Sequence, residues 1–295
     1  MAMTTTQIAS ELQSAIEQKD HAKINAITSQ YGSEERAKIA AQYLADYGKS
    51  LKQAIDKNFK DSSWEDLILC CWDDQASIRA NWIAKALARK TDHRMLLDTI
   101  ILCDGPAWNR TAEAYNQLHG RSLVIDLKEK LKDETAEFYS AWTQFQRQGL
   151  SDIDNEAKRY SDAIAAHEDA TVIEIICGTE QEDYKKVVEK FREVAKKTIP
   201  QALSVVYTGP LYWALLTAHY RNIDLTYGAA FLMHHAATAD KRGDVDRAIR
   251  ITSLCFDRCL TCRTYYREFG SMLGDAKKAY PAWVADALAV IWRLS

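Results

Sequence analysis

Acidic side chains crowd one short segment in the last quarter of the chain. Asp240, Asp244 and Asp246 lie close together there, with Gly243 among them. Carboxylate oxygens are preferred calcium ligands, so the segment is a candidate cation site. The alternative is that these acids cap the helix that follows and interact with its positive N-terminal end, which is their commoner role.

Three cysteines follow in the same region. Cys255, Cys259 and Cys262 have the spacing with which radical S-adenosylmethionine enzymes hold an iron–sulfur cluster. Those enzymes are β/α barrels, whereas this segment has helical periodicity. Spacings of four and seven place the three residues on one helix face, where buried cysteine is a common small apolar residue. We therefore predict that they belong to the core.

Catalytic signatures are missing from the sequence. His234 and His235 have no acid at metal or catalytic spacing, and no zinc-protease, nucleophile-elbow or phosphate-loop motif occurs. We therefore predict that the protein is not an enzyme. One basic face is typical of a solvated surface but could also bind lipid phosphate, sulfated sugars or acidic cytoskeletal tails. It consists of Lys185, Lys186, Lys190, Arg192, Lys196 and Lys197.

The composition narrows the class of protein. The 295 residues are 47% hydrophobic and 27% charged, as in a globular protein with a sizeable core, and the net charge of -3 provides no global attraction to nucleic acid. With 11 glycines and 4 prolines, turns are too few for a β-sandwich or barrel. Seven cysteines and the lack of a signal peptide at the N-terminus predict a cytoplasmic setting.

Helical spacing recurs along the whole chain, so the predicted fold class is all-α. One stretch without Asp, Glu, Lys or Arg, from Thr198 to Tyr220, is long enough to cross a membrane. Pro200, Gly209 and Pro210 interrupt it. We therefore predict a buried helical hairpin there and no transmembrane helix.

The helical pattern repeats four times. Its anchors are Gly48, Gly120, Lys196 and Gly270, separated by 72, 76 and 74 residues. An aromatic residue precedes each anchor by five, and two mostly apolar residues follow at three and seven. These offsets hold Tyr43, Leu51, Ile55; Tyr115, Leu123, Leu127; Phe191, Ile199, Leu203; and Tyr265, Leu273, Lys277. We predict that the aromatic and aliphatic residues among them are buried. The same register places Ile24, Leu96, Val172 and Ile249 upstream, and the helix-opening aromatics Trp64, Phe138, Trp213 and Trp283 downstream.

Four such repeats, together with the segments Tyr47-Gly48-Lys-Ser-Leu51 and His119-Gly120-Arg-Ser-Leu123, resemble the annexin superfamily. The degenerate loops and the very short N-terminal tail are most similar to the alpha-giardins, annexins of a protozoan attachment cytoskeleton. The resemblance implies five short helices per repeat and a curved disc. We predict a tail at residues 1–7, repeats at 8–72, 73–147, 148–220 and 221–295, and a linker between two halves at Gln146 to Asp152.

The resemblance also implies where calcium would bind. The principal annexin site combines carbonyls of a glycine-rich loop between the first two helices with an acid ten residues after the anchor. That acid position holds Asn58, Lys130, Val206 and Tyr280, and the four loops are eroded. Calcium without a bidentate acid is bound weakly. We therefore expect no intact principal site.

A minor annexin site is better preserved in the first repeat. By resemblance it would use loop carbonyls of Lys57 and Lys60 with Glu65 at the start of the fifth helix, and Asp61 adds a second carboxylate. The alternative is that the negative charge of Glu65 only interacts favourably with the positive N-terminal end of the helix. The second candidate is the set Asp240, Gly243, Asp244 and Asp246 of the fourth repeat.

The resemblance implies calcium-modulated binding of acidic phospholipid membranes by a peripheral protein that links membrane and cytoskeleton. Its implied ligand is Ca²⁺, and its implied location is the cytoplasmic face of the plasma membrane and the cytoskeleton. The alternative is a calcium-independent cytoskeletal scaffold that binds tubulin-rich structures or sulfated glycans. No nucleic-acid partner is expected.

Overall fold

The protein is described by a computed structural model that covers residues 3–60, 62–239 and 242–294. Within these residues the chain forms α-helices joined by short loops, and its only β-type pairing is an isolated bridge between Gln148 and Thr179. The all-α prediction is confirmed. In the described part of the chain, no helix is both long and apolar enough to span a bilayer.

The first group of five helices occupies the N-terminal quarter. Thr4 and Ser50 begin two of them with capping boxes, in which the side chain accepts a hydrogen bond from the backbone three residues later. Gly48 ends the third at φ +66°, a left-handed conformation that most residues resist. The helices are α1 (Thr5–Glu17), α2 (His21–Gln30), α3 (Ser33–Tyr47), α4 (Leu51–Asn58) and α5 (Ser63–Cys71).

The second group has the same order of helix lengths. Asp92 and Asp104 cap two helices through side-chain oxygens that accept backbone N–H groups, and Gly120 at φ +66° ends the third. The helices are α6 (Gln75–Leu87), α7 (His93–Ile101), α8 (Gly105–His119), α9 (Leu123–Lys130) and α10 (Thr135–Trp142).

The third group contains the stretch without charged residues. Lys196, which replaces the anchor glycine, ends a helix at φ +55° and keeps the left-handed conformation without a glycine. The helices are α11 (Ile153–Ala166), α12 (Asp169–Gly178), α13 (Gln181–Ala195), α14 (Ile199–Val206) and α15 (Gly209–Ile223). Two helices, α14 and α15, cover the stretch as predicted, although α15 has 15 residues and Val205 on α14 is 78% exposed, so the predicted short and buried character holds only in part.

The fourth group completes the described chain. A short 3-10 turn, Phe256–Arg258, separates its second and third helices. The helices are α16 (Leu225–Thr238), α17 (Val245–Cys255), α18 (Cys259–Tyr266), α19 (Met272–Ala279) and α20 (Ala282–Ile291). The predicted repeat boundaries stay predictions, although α1 begins before the boundary at residue 8 and α15 ends beyond the boundary at residue 220.

The helices pack into two compact units that are not sequential halves. One unit combines Met1–Ile78 with Leu232–Ser295, and the other is Arg79–Phe231. The predicted linker between two halves therefore lies inside the second unit, and that part of the prediction is wrong. Gln148 is tied there by two backbone hydrogen bonds, donating to Gly178 and accepting from Glu180. The polar sequence of the segment Gln146 to Asp152 indicates a loop, but it does not show which structural elements that loop separates.

A buried ion pair holds the first unit together across a long sequence separation. The Arg36 side chain on α3 is 3% exposed and its Nη1 lies 2.9 Å from Asp257 Oδ1 in the 3-10 turn. Arg36 Nε also donates to the Cys71 carbonyl, and its guanidinium lies 4.2 Å from the centre of the Phe256 ring. The first and fourth groups of helices are thus linked by charge and packing.

The predicted burial register holds in three repeats and fails in the fourth. The anchor-related sets of the first three repeats are all buried, as are Ile24, Leu96, Val172 and Ile249. In the fourth repeat Leu273 and Lys277 are not buried, and Met272 and Ala276 take their places. Helix α18 ends at Tyr266, four residues before the predicted anchor Gly270, so the register from that glycine is displaced by one residue.

Candidate functional site

In the first repeat, the α1–α2 loop lies against the residues that follow α4. The His21 ring, at the start of α2, is 4.9 Å from the Phe59 ring and 4.3 Å from the Trp64 ring, between centroids. Phe59 ends α4 and Trp64 lies in the first turn of α5. The two loops that form the principal annexin site therefore do meet, but a histidine ring fills part of their contact.

In the second repeat, the same two loops meet through a close contact between a histidine and an acid. His93 Nε2, at the start of α7, lies 3.0 Å from Asp133 Oδ2 in the α9–α10 loop. The other carboxylate oxygen of Asp133 accepts hydrogen bonds from the backbone and hydroxyl of Thr135. Asp133 is an acid that the predicted position, Lys130, misses by three residues. Its two oxygens are already used by His93 and by the start of α10.

The third repeat again places a histidine between the loops. His167 ends α11 in the left-handed conformation, and its ring centroid lies 4.8 Å from that of Tyr207, the residue that ends α14. Burial, followed by a hydrogen bond to Asp169, raises the pKa of Tyr207 well above its usual range. His167 Nε2 lies 3.5 Å from Asp169 Oδ1. The acids at this loop are Glu168, which is exposed, and Asp169, which already has Tyr207 and His167 beside it.

In the fourth repeat, the α16–α17 loop packs against the end of α19 without a histidine. Gly243 has φ +60°, and a Cβ added there would lie 2.8 Å from the Tyr280 ring and 2.9 Å from Ala279 Cβ. Asp244 caps α17, because its Oδ1 accepts the Arg247 backbone N–H at 2.9 Å. Asp246 is exposed in the first turn of α17.

These positions bear on whether the acids of the fourth repeat bind a cation or cap a helix. Asp244 and Asp246 occupy the helix-capping and first-turn positions that the alternative reading predicted. Asp240 lies outside the described residues. Over the described ranges, no group of three or more His, Cys, Asp or Glu side chains could hold a metal ion. The cation site therefore stays a prediction, whereas the capping role of Asp244 is observed.

The candidate site of the first repeat lies in the α4–α5 loop, residues 59–62. Lys57 and Lys60 are exposed on either side of the buried Phe59, and Asp61 lies outside the described residues. Glu65 is buried, with only 5% of its surface exposed. The Ser62 hydroxyl accepts the Glu65 backbone N–H at 3.1 Å, so a serine already caps the start of α5.

The cysteine prediction is half confirmed. Cys255, Cys259 and Cys262 are 2%, 5% and 0% exposed, as expected for core residues. The single helix face is wrong, because α17 ends at Cys255 and α18 begins at Cys259, with the 3-10 turn between them. The periodicity of the segment does not reveal that break.

Three of the six cations on the basic face of the third repeat are paired with neighbouring acids. Lys185 and Lys186 form ion pairs with Glu182 and Asp183, and Lys190 lies 3.1 Å from Glu193. These acids lie one helical turn away on α13. Positive charge is therefore less concentrated than the sequence run suggests.

His234 has an acidic neighbour that sequence spacing does not reveal. Its Nδ1 lies 3.4 Å from Asp275 Oδ2 on α19, and the Tyr266 hydroxyl donates to the same oxygen at 2.9 Å. The His234 ring stacks on Phe269 at 5.3 Å. This half-buried cluster connects three helices of the fourth group. No local signal could have shown it, because α16 and α19 are far apart in the chain.

Comparison with known proteins agrees with this architecture. A family model described as the fourth repeat of annexin E1 matches residues 229–293. The chain is 38% identical to giardin subunit alpha-3 of Giardia intestinalis over 296 residues, which covers 100% of both chains. It is 32% identical to giardin subunit alpha-2 of the same organism, with 98% of both chains covered.

Solved structures give the same result. A crystal structure of calcium-bound alpha-1 giardin matches with a TM-score of 0.94 and 31% identity, covering 99% of this chain and 100% of that one. A structure of annexin A8, at 15% identity, has a TM-score of 0.84 and shares the fold. The repeated groups of five helices are those of an annexin-type protein. Within that class, the chain belongs to the alpha-giardin family.

Proposed function

We propose that this protein binds acidic phospholipid membranes peripherally, with calcium as a modulating ligand, and links the membrane to the cytoskeleton. The observation that supports it most directly is the pairing of the two loops in each repeat, the arrangement that supplies calcium ligands in annexins. The calcium-bound alpha-1 giardin resembles this chain over nearly its whole length. A cytoplasmic location at the membrane and cytoskeleton is part of the proposal.

The first repeat is the best place for calcium. Its α4–α5 loop has four residues, whereas the α14–α15 and α19–α20 loops have two, so it offers more backbone carbonyls. Carbonyls of Lys57 and Lys60, together with two oxygens of Glu65, would supply oxygen ligands of the kind calcium requires. A buried carboxylate lacks full hydration, so a cation beside it restores some of the lost stabilisation.

The principal positions fit calcium poorly. His21, His93 and His167 occupy the loop contacts of three repeats, and Asp133 is engaged by His93 and Thr135. Few charged ligands remain to offset dehydration of the ion. We therefore expect dissociation constants of roughly 10⁻⁴ M or weaker, as in calcium modules with few charged ligands.

Vesicle co-sedimentation over a calcium series tests the proposal. Wild-type protein is expected to sediment with phosphatidylserine vesicles more strongly as calcium rises. Glu65→Gln keeps the size of the side chain but removes its charge, so the calcium midpoint should rise about tenfold. Asp133→Asn is the matched control and should leave the midpoint unchanged, because its oxygens are already bonded.

Two outcomes would contradict the proposal at different levels. Wild-type sedimentation that does not depend on calcium would remove the calcium role. An unchanged midpoint for Glu65→Gln would move the site elsewhere, with the loop at Asp244 as the next candidate. Because Glu65 is buried, thermal melting without calcium must accompany the assay, and some loss of stability is expected for the variant.

The alternative function is a calcium-independent scaffold on tubulin-rich structures or sulfated glycans. It would need a concentrated positive surface. The ion pairs of Lys185, Lys186 and Lys190 weaken the basic face on which this reading depends. Co-sedimentation with microtubules, and heparin binding, both in the presence of a calcium chelator, would detect it.

A further inference from the structure

Trp283 is an exposed aromatic residue at a position where the first two repeats have a buried aromatic residue. Trp64 and Phe138, which open the fifth helices of the first two repeats, are 1% and 0% exposed. Trp283 lies in the first turn of α20 and is 57% exposed, while the adjacent Val284 is fully buried in its place. A large apolar side chain is therefore left in solvent just after the segment on which the α16–α17 loop packs.

The residues around Trp283 add positive charge. Lys277 and Lys278 form the last turn of α19, and only Tyr280 and Pro281 separate that helix from α20. Both lysines are exposed, and within the described ranges neither makes an ion pair. A third exposed cation, Arg242, precedes the glycine that packs on Ala279 and Tyr280.

Acids are also present near this surface, and their positions matter. Asp244 caps α17 and Asp275 accepts from Tyr266, so both are engaged in the fold. Asp286 is exposed one turn further along α20, and Asp246 is exposed on α17. The sequence from Lys277 to Trp283 itself contains two lysines and no acid. Its local charge is positive although the chain is acidic overall.

We infer that this tip, formed by Arg242, Lys277, Lys278, Pro281 and Trp283, is a calcium-independent anchor for an acidic phospholipid bilayer. An indole ring suits the interface between headgroups and acyl chains, since its body is apolar and its N–H can remain hydrated. Lysines and arginine beside it are attracted to anionic headgroups. The inference rests on the proposed membrane function and specifies which surface makes first contact.

The mechanism follows from the two kinds of side chain. The three cations bring the tip to an anionic surface, and the indole then leaves water by entering the headgroup region. Membrane binding of this type increases with both the buried apolar area and the electrostatic attraction. Neither step uses a calcium ligand, so weak calcium sites and membrane binding are compatible in the same protein.

Vesicle binding of the full chain in a calcium chelator tests the inference. Trp283→Ala should lower partitioning onto phosphatidylserine vesicles about tenfold or more. Leu260→Ala is the matched control, because Leu260 is 65% exposed on a different helix, α18, and its loss should have no effect. The double variant Lys277→Gln with Lys278→Gln should weaken binding to phosphatidylserine vesicles and reduce its salt dependence.

A spectroscopic measurement separates insertion from simple loss of affinity. Vesicles containing brominated phosphatidylcholine should quench part of the tryptophan fluorescence of the wild-type protein, and Trp283→Phe should lose that quenching while keeping part of the affinity. Circular dichroism and thermal melting should show that these exposed substitutions leave the fold unchanged.

The possible failures can be told apart. If wild-type protein binds vesicles but Trp283→Ala binds equally well, the anchor is refuted and the proposed function survives. If the wild-type protein binds vesicles only when calcium is present, the calcium-independent anchor is refuted and the proposed function survives. If the wild-type protein binds no acidic vesicle under either condition, the proposed function and the anchor both fail.

Discussion

The ion pair between Arg36 and Asp257 allows a quantitative test of how the first unit is held together. Removing the carboxylate by Asp257→Ala leaves a guanidinium, 3% exposed, without its countercharge. The Ser33 backbone N–H also loses the acceptor that Asp257 Oδ2 provides at 2.9 Å. The change should therefore destabilise the protein through both an uncompensated charge and a lost helix-start hydrogen bond.

The expected magnitude follows from burial. Breaking a buried pair by removing one partner costs about 3–5 kcal/mol. Asp257 is 27% exposed, so water can approach its position, and we expect the lower end, about 3 kcal/mol. Arg36→Met replaces the guanidinium by an apolar side chain and leaves Asp257 bonded to Ser33, so it should cost less, about 2 kcal/mol. The double variant should lose about 3 kcal/mol, well below the sum, because the two side chains interact directly.

Urea denaturation of the four proteins, followed by tryptophan fluorescence and circular dichroism, gives these free energies. High salt should change the coupling between the two residues little, since buried pairs are poorly screened. The reasoning is refuted if Asp257→Ala unfolds within about 0.5 kcal/mol of the wild type, which is the range of an ordinary surface change. Strict additivity in the double variant would equally contradict a direct interaction.

Three further predictions concern backbone strain, pH and calcium. Lys196→Gly should raise the unfolding free energy by about 0.5–1 kcal/mol, because relief of left-handed strain exceeds the added entropy of the unfolded chain. Gly120→Ala should lower the unfolding free energy by a similar amount. Urea midpoints that move in the opposite directions would contradict this prediction. Burial lowers the pKa of His219 to about 3, so the unfolded state takes up a proton that the folded state does not, and stability is lost as pH falls below the unfolded value of about 6.5. Between pH 7 and pH 5 this group should contribute a loss of roughly 2 kcal/mol, which His219→Gln should remove and the exposed-histidine control His119→Gln should not. Calorimetric titration with calcium should show few and weak sites, and several sites of sub-micromolar affinity would show that the loop assignments are wrong.

The fold was largely predictable from the sequence, and the reasons are local. Helical periodicity and the left-handed residues Gly48, Gly120 and Lys196 mark the same helix end in three repeats, so a register based on them is correct. In the fourth repeat the predicted glycine lies beyond the end of α18. A register taken from it is displaced, because a glycine marks a helix end only when it occupies the capping position.

The candidate site was less predictable, because its contacts join distant segments. The family pattern shows which two loops should meet, and they do. It does not show that His21 would lie on Phe59 or that His93 would pair with Asp133. A difference in loop length moves an acid by several residues, and the hydrophobic periodicity of the helices does not reveal this shift. A ligand position extrapolated from an anchor is therefore less secure than a core position.

The sequence by itself determined the helical class, the repeat and many helix starts, because these depend on residues within one or two turns of each other. Only the tertiary structure decided the exposure of individual side chains. Trp64 and Trp283 occupy the same position in the first turn of a helix, yet one is buried and the other is exposed. Glu65 is a typical surface residue by type, yet it is buried. Burial depends on which distant helices pack over a residue, and no local pattern records that choice.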